Sequence, residues 1–263
     1  MIYAVVVSIM PTPFMHLQCA EQIRSALEAS QGSNGRLPVL LRQEWPAFYL
    51  GSVAADFPSI TGTPRVESHF YDMPPPVQAE AHVTMLEMYP ELADSAALPP
   101  DQAVFIAAYG AHLMLDLLWF QQVLMPYFVE APHLGDRQQR RLVHFILLTY
   151  LDTLALATLP EAAGTTLAAA EPQRWLPFVD DAVLARWRNM LVSQLEPGAA
   201  IQTVEIYAER LQMSPAEFAA NLRDPQWMEA NVFSKVPVAE IQARVAAAVP
   251  GSIALISEYL NGD

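Results

Sequence analysis

Along this chain apolar positions recur three and four residues apart, in segments separated by proline-rich connections. That period predicts helices throughout. The longest such segment runs from Ala103 to Trp119, with no proline and a single glycine, Gly110. It is apolar for about five helical turns. Two polar side chains interrupt it, His112 and Asp116, four residues apart. At that spacing both project from one face of a helix, one turn apart. An imidazole and a carboxylate buried together are costly unless they satisfy each other or share a metal ion.

The pattern predicts further helices on either side of this one. Residues 14–30 form an amphipathic helix with Leu17, Ala20, Ile23 and Leu27 on its apolar stripe. Prolines 11 and 13 forbid helix upstream, which places His16 in the first turn. A second helix is expected from Leu37 or Pro38 to Val53, with Asp56 just past its C-terminal end. A carboxylate there opposes the helix dipole, so helix stability does not explain it. Residues 58–76 read as an irregular loop with His69 in its middle, and a loop of that length is more often functional than filler.

Helices are then expected over 77–89, containing His82, and over 101–124, capped by Asp101 and broken or kinked at Met125-Pro126. Others are expected over 135–158, beginning in the solvated run Arg137-Gln-Gln-Arg-Arg141, and over 172–193, with Trp175, Phe178, Leu184, Trp187 and Leu191 on one stripe. Glu196-Pro-Gly198 is the clearest break. Beyond it lie short helices at 199–212, 214–223 (Ser214 and Glu217 as a capping box), 225–231 and 237–260, the last containing Pro250. There is no internal repeat. The expected fold is an all-α multi-helix bundle, with a domain over 1–196 and a C-terminal helical extension, 197–263, packed on it.

Composition narrows the function. With 263 residues there is ample chain for a core, and apolar residues make up 53%. The net charge is −14, and the only lysine is Lys235. Without a basic patch, duplex nucleic acid is a poor electrostatic partner. Cys19 is the only cysteine, so no intrachain disulfide forms, and its helical position reads as a small buried apolar residue.

The apolar opening, Met1 to Met10, has no basic n-region and is weak as a signal peptide. It reads as a β-like segment or as an extension upstream of a start at Met10, and a cytoplasmic location is expected. Residues 103–120 and 142–159 are long enough to raise a membrane question. Each carries histidine and aspartate (His112 and Asp116; His144 and Asp152), so buried helices of a soluble bundle fit better than transmembrane spans.

Five residues stand out chemically: His16, Asp56, His69, His112 and Asp116. Imidazole nitrogen and carboxylate oxygen without thiolate form a donor set suited to a borderline cation such as zinc. The alternative is that His112 and Asp116 form a structural hydrogen bond and the other two histidines are incidental. Of the remaining polar residues, Arg65 and Glu67 lie near His69, where they could meet a phosphate or close the site. His144 and Asp152, two turns apart, read as a satisfied core pair or a supporting shell. His82 and His133 read as ordinary rim and loop residues, and Trp45, Phe48 and Tyr49 as core.

The run Ser68-His-Phe-Tyr-Asp72, the segment His16-Leu-x-x-Ala20, Asp56 and the pair His112-x-x-x-Asp116 resemble the zinc-dependent phospholipase C family. The order and spacing of the five positions are similar to that family's metal ligands. The related single-strand-specific zinc nucleases share the arrangement. Met10-Pro-Thr-Pro-Phe-Met-His16 and Gly51-Ser-Val-Ala-Ala-Asp56 resemble its bacterial branch, and the likeness covers roughly residues 10–130. It implies a zinc held by Asp56, His69, His112 and Asp116, with His16 and a bridging Asp116 contributing to a second.

The same resemblance implies that Asp56 orients an attacking water, and that the substrate is a small phosphate ester or a phospholipid. The family's third-metal histidine has no counterpart here. After Asp116 no histidine occurs until His133, leaving only Gln121, Gln122 and Glu130 as polar residues in that stretch. One or two zinc ions are therefore expected.

Overall fold

The computed structural model describes residues 10–76, 78–200 and 202–262, and among them there are helices and turns but no strand. The expected all-α class is what forms. The opening stretch over residues 1–9, to which the β-like reading was attached, lies outside the described residues.

The first half comprises α1 (Pro13–Gln31), α2 (Arg36–Gln43), α3 (Trp45–Ala54), the single turns α4 (Pro58–Thr61) and α5 (Val66–His69), α6 (Ala81–Met88) and α7 (Pro100–Trp119). The second half comprises α8 (Arg137–Thr158), α9 (Ala163–Ala168), α10 (Asp181–Gln194), α11 (Thr203–Leu211), α12 (Pro215–Arg223), α13 (Pro225–Met228), α14 (Val238–Ala246) and α15 (Ala248–Asn261).

α7 is the axis of the bundle. Apart from its two ends and Met114 it is buried nearly all round, as a helix apolar on every side must be. α3 and α15 flank it, and α1 lies across α3, α8 and α15. The α3–α7 contact is unusually close. A Cβ at Gly51 would stand 2.3 Å from the Phe105 carbonyl oxygen and 2.8 Å from the Ala108 Cβ. That approach lets the C-terminal carbonyls of α3 reach side chains on α7. Cys19 is buried as expected, and burial pushes its thiol up to about 12.

Several expected boundaries are corrected, mostly by proline. The single helix expected over 37–53 is two, broken at Glu44 (φ −107°, ψ 27°). Pro46 has no N–H to donate and its ring opposes a helical carbonyl four residues back. The helix expected over 237–260 likewise splits at Ala247, so that Pro250 falls in the first turn of α15, where it is tolerated.

The helix expected from 172 begins only at Asp181, so Trp175 and Phe178 are not on it. Arg174 adopts a left-handed φ of 57°, and its N–H donates to the Asp181 carboxylate. The stretch 58–76, read as irregular, contains α4 and α5. The central helix does not stop at Met125-Pro126. It widens into a π-helix, Phe120–Val129, with Pro126 inside it. Asp101 is not the cap of α7 but a first-turn residue. α9 has no counterpart in the sequence pattern.

Three helical stretches, Pro100–Val129, Arg137–Thr158 and Val238–Asn261, are long and apolar enough to cross a membrane. The most apolar window of the first is 89% buried inside the protein, so its apolar surface is already covered by protein rather than available to lipid.

The α3–α7 approach generates a prediction. Gly51→Ala places a methyl against a backbone carbonyl and lowers stability by about 3 kcal/mol in chemical denaturation. Gly164→Ala in α9, where the nearest atom outside its own helix is 3.4 Å away, leaves stability unchanged or slightly raised.

Candidate metal centre

The centre forms where α7 meets the first turn of α1, the end of α3 and the short helix α5. On α7, Tyr109, His112 and Asp116 follow at spacings of three and four residues and so share one face. Each ties in a different element. The Tyr109 hydroxyl donates to the Ser68 carbonyl at 2.7 Å, which anchors α5 and the adjacent His69. His112 Nδ1 lies 2.8 Å from the Ser52 carbonyl oxygen at the end of α3. A carbonyl only accepts, so Nδ1 carries the proton and Nε2 is the atom turned to the centre. This is how metal-binding histidines are commonly oriented.

Asp116 is the meeting point. Its Oδ1 lies 3.3 Å from His16 Nε2. Its Oδ2 lies 3.3 Å from His69 Nε2 and 3.6 Å from His112 Nε2, and accepts from Arg65 Nη2. Asp56 Oδ1 stands 3.6 Å from both His69 Nε2 and Arg65 Nη1. The His16 and His112 rings stack, with centroids 3.8 Å apart and planes inclined by 11°. All five residues singled out in the sequence are therefore in one place, drawn from four separate parts of the chain.

Arg65 is the residue to which the sequence reading gave too little weight. Its guanidinium lies between the two carboxylates and donates to the Tyr71 hydroxyl at 3.1 Å. The signal was its position four residues before His69, with α5 bringing both to one side. Glu67 points to solvent.

Electrostatics follow from burial. Burial alone would raise Asp116, but the Arg65 charge beside it, then His112 and His16, hold it well below the usual carboxylate range. Asp56 is also lowered: burial works upward, and the nearby rings of His69 and His112 outweigh it. His16 is pushed down by burial and by His112 and is neutral. Burial also works against a charged His112, yet Asp116 and Asp56 together leave it above the ordinary imidazole value.

The donor set fits a metal ion. His16 Nε2, His69 Nε2, His112 Nε2 and Asp116 Oδ1 are buried and make no hydrogen bond. Ligands about 2.1 Å from a tetrahedral ion stand roughly 3.4 Å from one another. The observed separations of 3.3 and 3.6 Å bracket that value. Two overlapping groups converge closely enough to hold an ion: His16, Asp56 and His112, and His69, His112 and Asp116. Four of the five side chains have almost no contact with solvent. Asp56 keeps 16% exposure and borders a cavity of about 90 Å³ shared with Ser59, Asp152, Thr203 and Trp187.

The other polar residues lie apart from the centre. His144 is enclosed by Trp119, Phe128 and Phe145, and burial pushes its pKa down to about 3. Asp152 accepts from the Thr12 and Thr203 hydroxyls and from the Phe14 N–H. Burial nonetheless raises it to about 6. His144 and Asp152 thus form no pair and do not support the ligands directly. His133 lies at the surface, 3.3 Å from the Lys235 carbonyl oxygen, and Gln121, Gln122 and Glu130 are exposed. No protein-family model, curated protein or solved structure matches the chain.

The neutral burial of His144 sets a pH dependence. Its folded pKa of about 3 lies below the unfolded value of 6.5, so below pH 6.5 the unfolded state binds the extra proton and stability falls. Asp152, raised from 3.8 to about 6, acts in the opposite sense between those values. Comparison with His144→Phe isolates the imidazole. As pH drops from 6.5 towards 4, the variant gains on the wild type by roughly 1.4 kcal/mol per pH unit in denaturant titrations. Parallel pH profiles would refute this.

Proposed function

We propose that this chain is a metal-dependent hydrolase of phosphate esters, of the zinc-dependent phospholipase C type. One or two zinc ions would be held by His16, Asp56, His69, His112 and Asp116. The observation that supports this reading most is the convergence of three unpartnered imidazole nitrogens on a buried, ionised carboxylate, in two overlapping groups each close enough to hold an ion. Nitrogen-rich ligation without sulfur favours zinc among the common divalent ions over magnesium or calcium.

A zinc ion bound there supplies a Lewis acid that lowers the pKa of water and polarises a phosphoryl oxygen. The chain's own residues divide the remaining tasks. Asp56 lines a cavity and is the most exposed of the five, so it is the carboxylate placed to orient an attacking water and accept its proton. His112, fixed by the Ser52 carbonyl, and His69, beside the Ser68 hydroxyl at 2.8 Å, hold their rings without rotation. The preferred substrates are phospholipids or small phosphodiesters. The −14 charge disfavours duplex nucleic acid, and with it a nuclease-like reading.

A second reading, a metal-binding helical protein without turnover, is favoured by one feature. The histidines and Asp116 are closed off from solvent, as structural metal sites are.

Metal analysis and activity distinguish the two. Zinc at about a hundred times its dissociation constant stabilises the wild type by roughly 2.7 kcal/mol, and His112→Ala loses this. Turnover of a chromogenic phosphodiester falls at least ~100-fold in Asp56→Asn and in His112→Ala. A zinc-loaded wild type without turnover selects the second reading. Absence of both bound metal and a thermal shift removes the metal from either.

A further inference from the structure

Arg65 is a fixed positive charge set among atoms otherwise suited to holding a cation. Its side chain is 9% exposed. Nη2 donates to Asp116 Oδ2, the same oxygen that faces His69 Nε2 and His112 Nε2, while Nη1 stands 3.6 Å from Asp56 Oδ1. The guanidinium therefore uses a lone pair of Asp116 that a metal ion would use, and pairs through its charge with Asp56. Its Nε–H is buried and has no hydrogen-bond partner. The carboxylates of Asp56 and Asp116 and the guanidinium of Arg65 sum to −1, and a divalent ion changes that to +1. Repulsion between such an ion and a guanidinium only a few ångströms away is strong in a low-dielectric interior.

We propose that Arg65 is a built-in counter-cation that competes with the metal for Asp116 and Asp56, and that metal loading releases it to bind the phosphoryl oxygens of the substrate. This rests on the metal reading above. The guanidinium is suited to the second task because its planar fork of donors matches phosphate oxygens two at a time. It also has a path. Arg65 is the N-cap residue of α5, near Thr61, Gly62, Pro64 and Val66, all exposed, and Gly62 takes a left-handed φ of 73°. Asp56, which Arg65 approaches, is the ligand that borders the cavity. The site is thus an anion receptor only when loaded: the ion supplies the net positive charge and Arg65 supplies directed donors.

The test measures zinc affinity by chelator competition, and inorganic phosphate binding by calorimetry, in the full-length wild type, Arg65→Met and Arg65→Lys. Arg65→Met is expected to bind zinc at least ~10-fold more tightly, and its loaded form to bind phosphate at least ~10-fold more weakly. The wild type binds phosphate only with zinc present. Arg65→Lys keeps the charge and loses the fork, so its zinc affinity stays near wild type while phosphate binding falls. If Arg65→Met does not fold, Arg65→Gln, which removes the charge but keeps a polar side chain, carries the zinc arm with the same expected tightening.

Equal or weaker zinc binding by Arg65→Met overturns the proposal while leaving the metal reading in place, as does phosphate binding that ignores residue 65. A wild type that binds no zinc removes both.

Discussion

A carboxylate with no access to water has to be matched by positive charge or by hydrogen-bond donors, and Asp116 lies completely buried in a long, almost wholly apolar helix. The surrounding architecture can be traced from that constraint. Three imidazoles and one guanidinium turn towards it: His16 from α1, His112 from α7 itself, and His69 and Arg65 from α5 and the residue that precedes it. α1 must bring its first turn to α7, which places His16. α3 must approach closely enough for Ser52 to fix His112, and Gly51 permits that approach. α5 must be tied down for His69 and Arg65 to face inwards, and the Tyr109 hydroxyl does this from the same face of α7. Changing Asp116 would leave several of these groups buried without a partner at once.

Asp152 is a second buried carboxylate with the opposite solution. It is matched by neutral donors: two threonine hydroxyls and the Phe14 N–H in the first turn of α1. Where Asp116 is held well below the carboxylate range by charge, Asp152 rises to about 6 because hydrogen bonds alone do not offset burial. Its placement is not incidental to the centre. By accepting the first-turn Phe14 N–H of α1, which has no partner within the helix, it caps that helix from a distance, and His16 lies two residues beyond Phe14. Thr203 joins the network from α11, so a residue of the C-terminal region helps to hold the turn that presents a candidate ligand.

How much of this could be read in advance depended on contrast. His112 and Asp116 stood out because a polar pair is conspicuous on an apolar helix. His16 was placed in a first turn because proline excludes helix before it. Asp56 was conspicuous because it opposes a helix dipole. The positions of these residues along the chain carried strong local physics, and the structure draws them together with His69. What was not legible lay in interactions without a local pattern. A backbone carbonyl at Ser52 orienting His112 leaves no mark on sequence. The role of Arg65 depends on a one-turn helix too short to show a period. The missed breaks at Pro46 and Pro250 show apolar periodicity outweighing a proline signal that was present. The π-helix through Pro126 shows how a proline expected to break or kink the helix is accommodated by a wider turn.

The C-terminal half of the chain showed only helix-forming patterns, and no chemistry of its own could be assigned to it. Its position gives it a part in the site all the same. The cavity that reaches Asp56 is walled by Trp187 and Leu191 of α10 and by Thr203 and Tyr207 of α11. The Trp187 indole also donates at 2.8 Å to the Val53 carbonyl, fixing α10 against the end of α3 just before Asp56. The first half of the chain therefore provides the charged centre, and the second half provides the surface next to its most accessible carboxylate. A molecule in that cavity would touch side chains of α10 and α11 as well as Pro13 and Phe14 of α1. Under the hydrolase reading proposed above, selectivity would then rest in part on those two helices, and the chemistry on Asp56 and the residues that α1, α5 and α7 present.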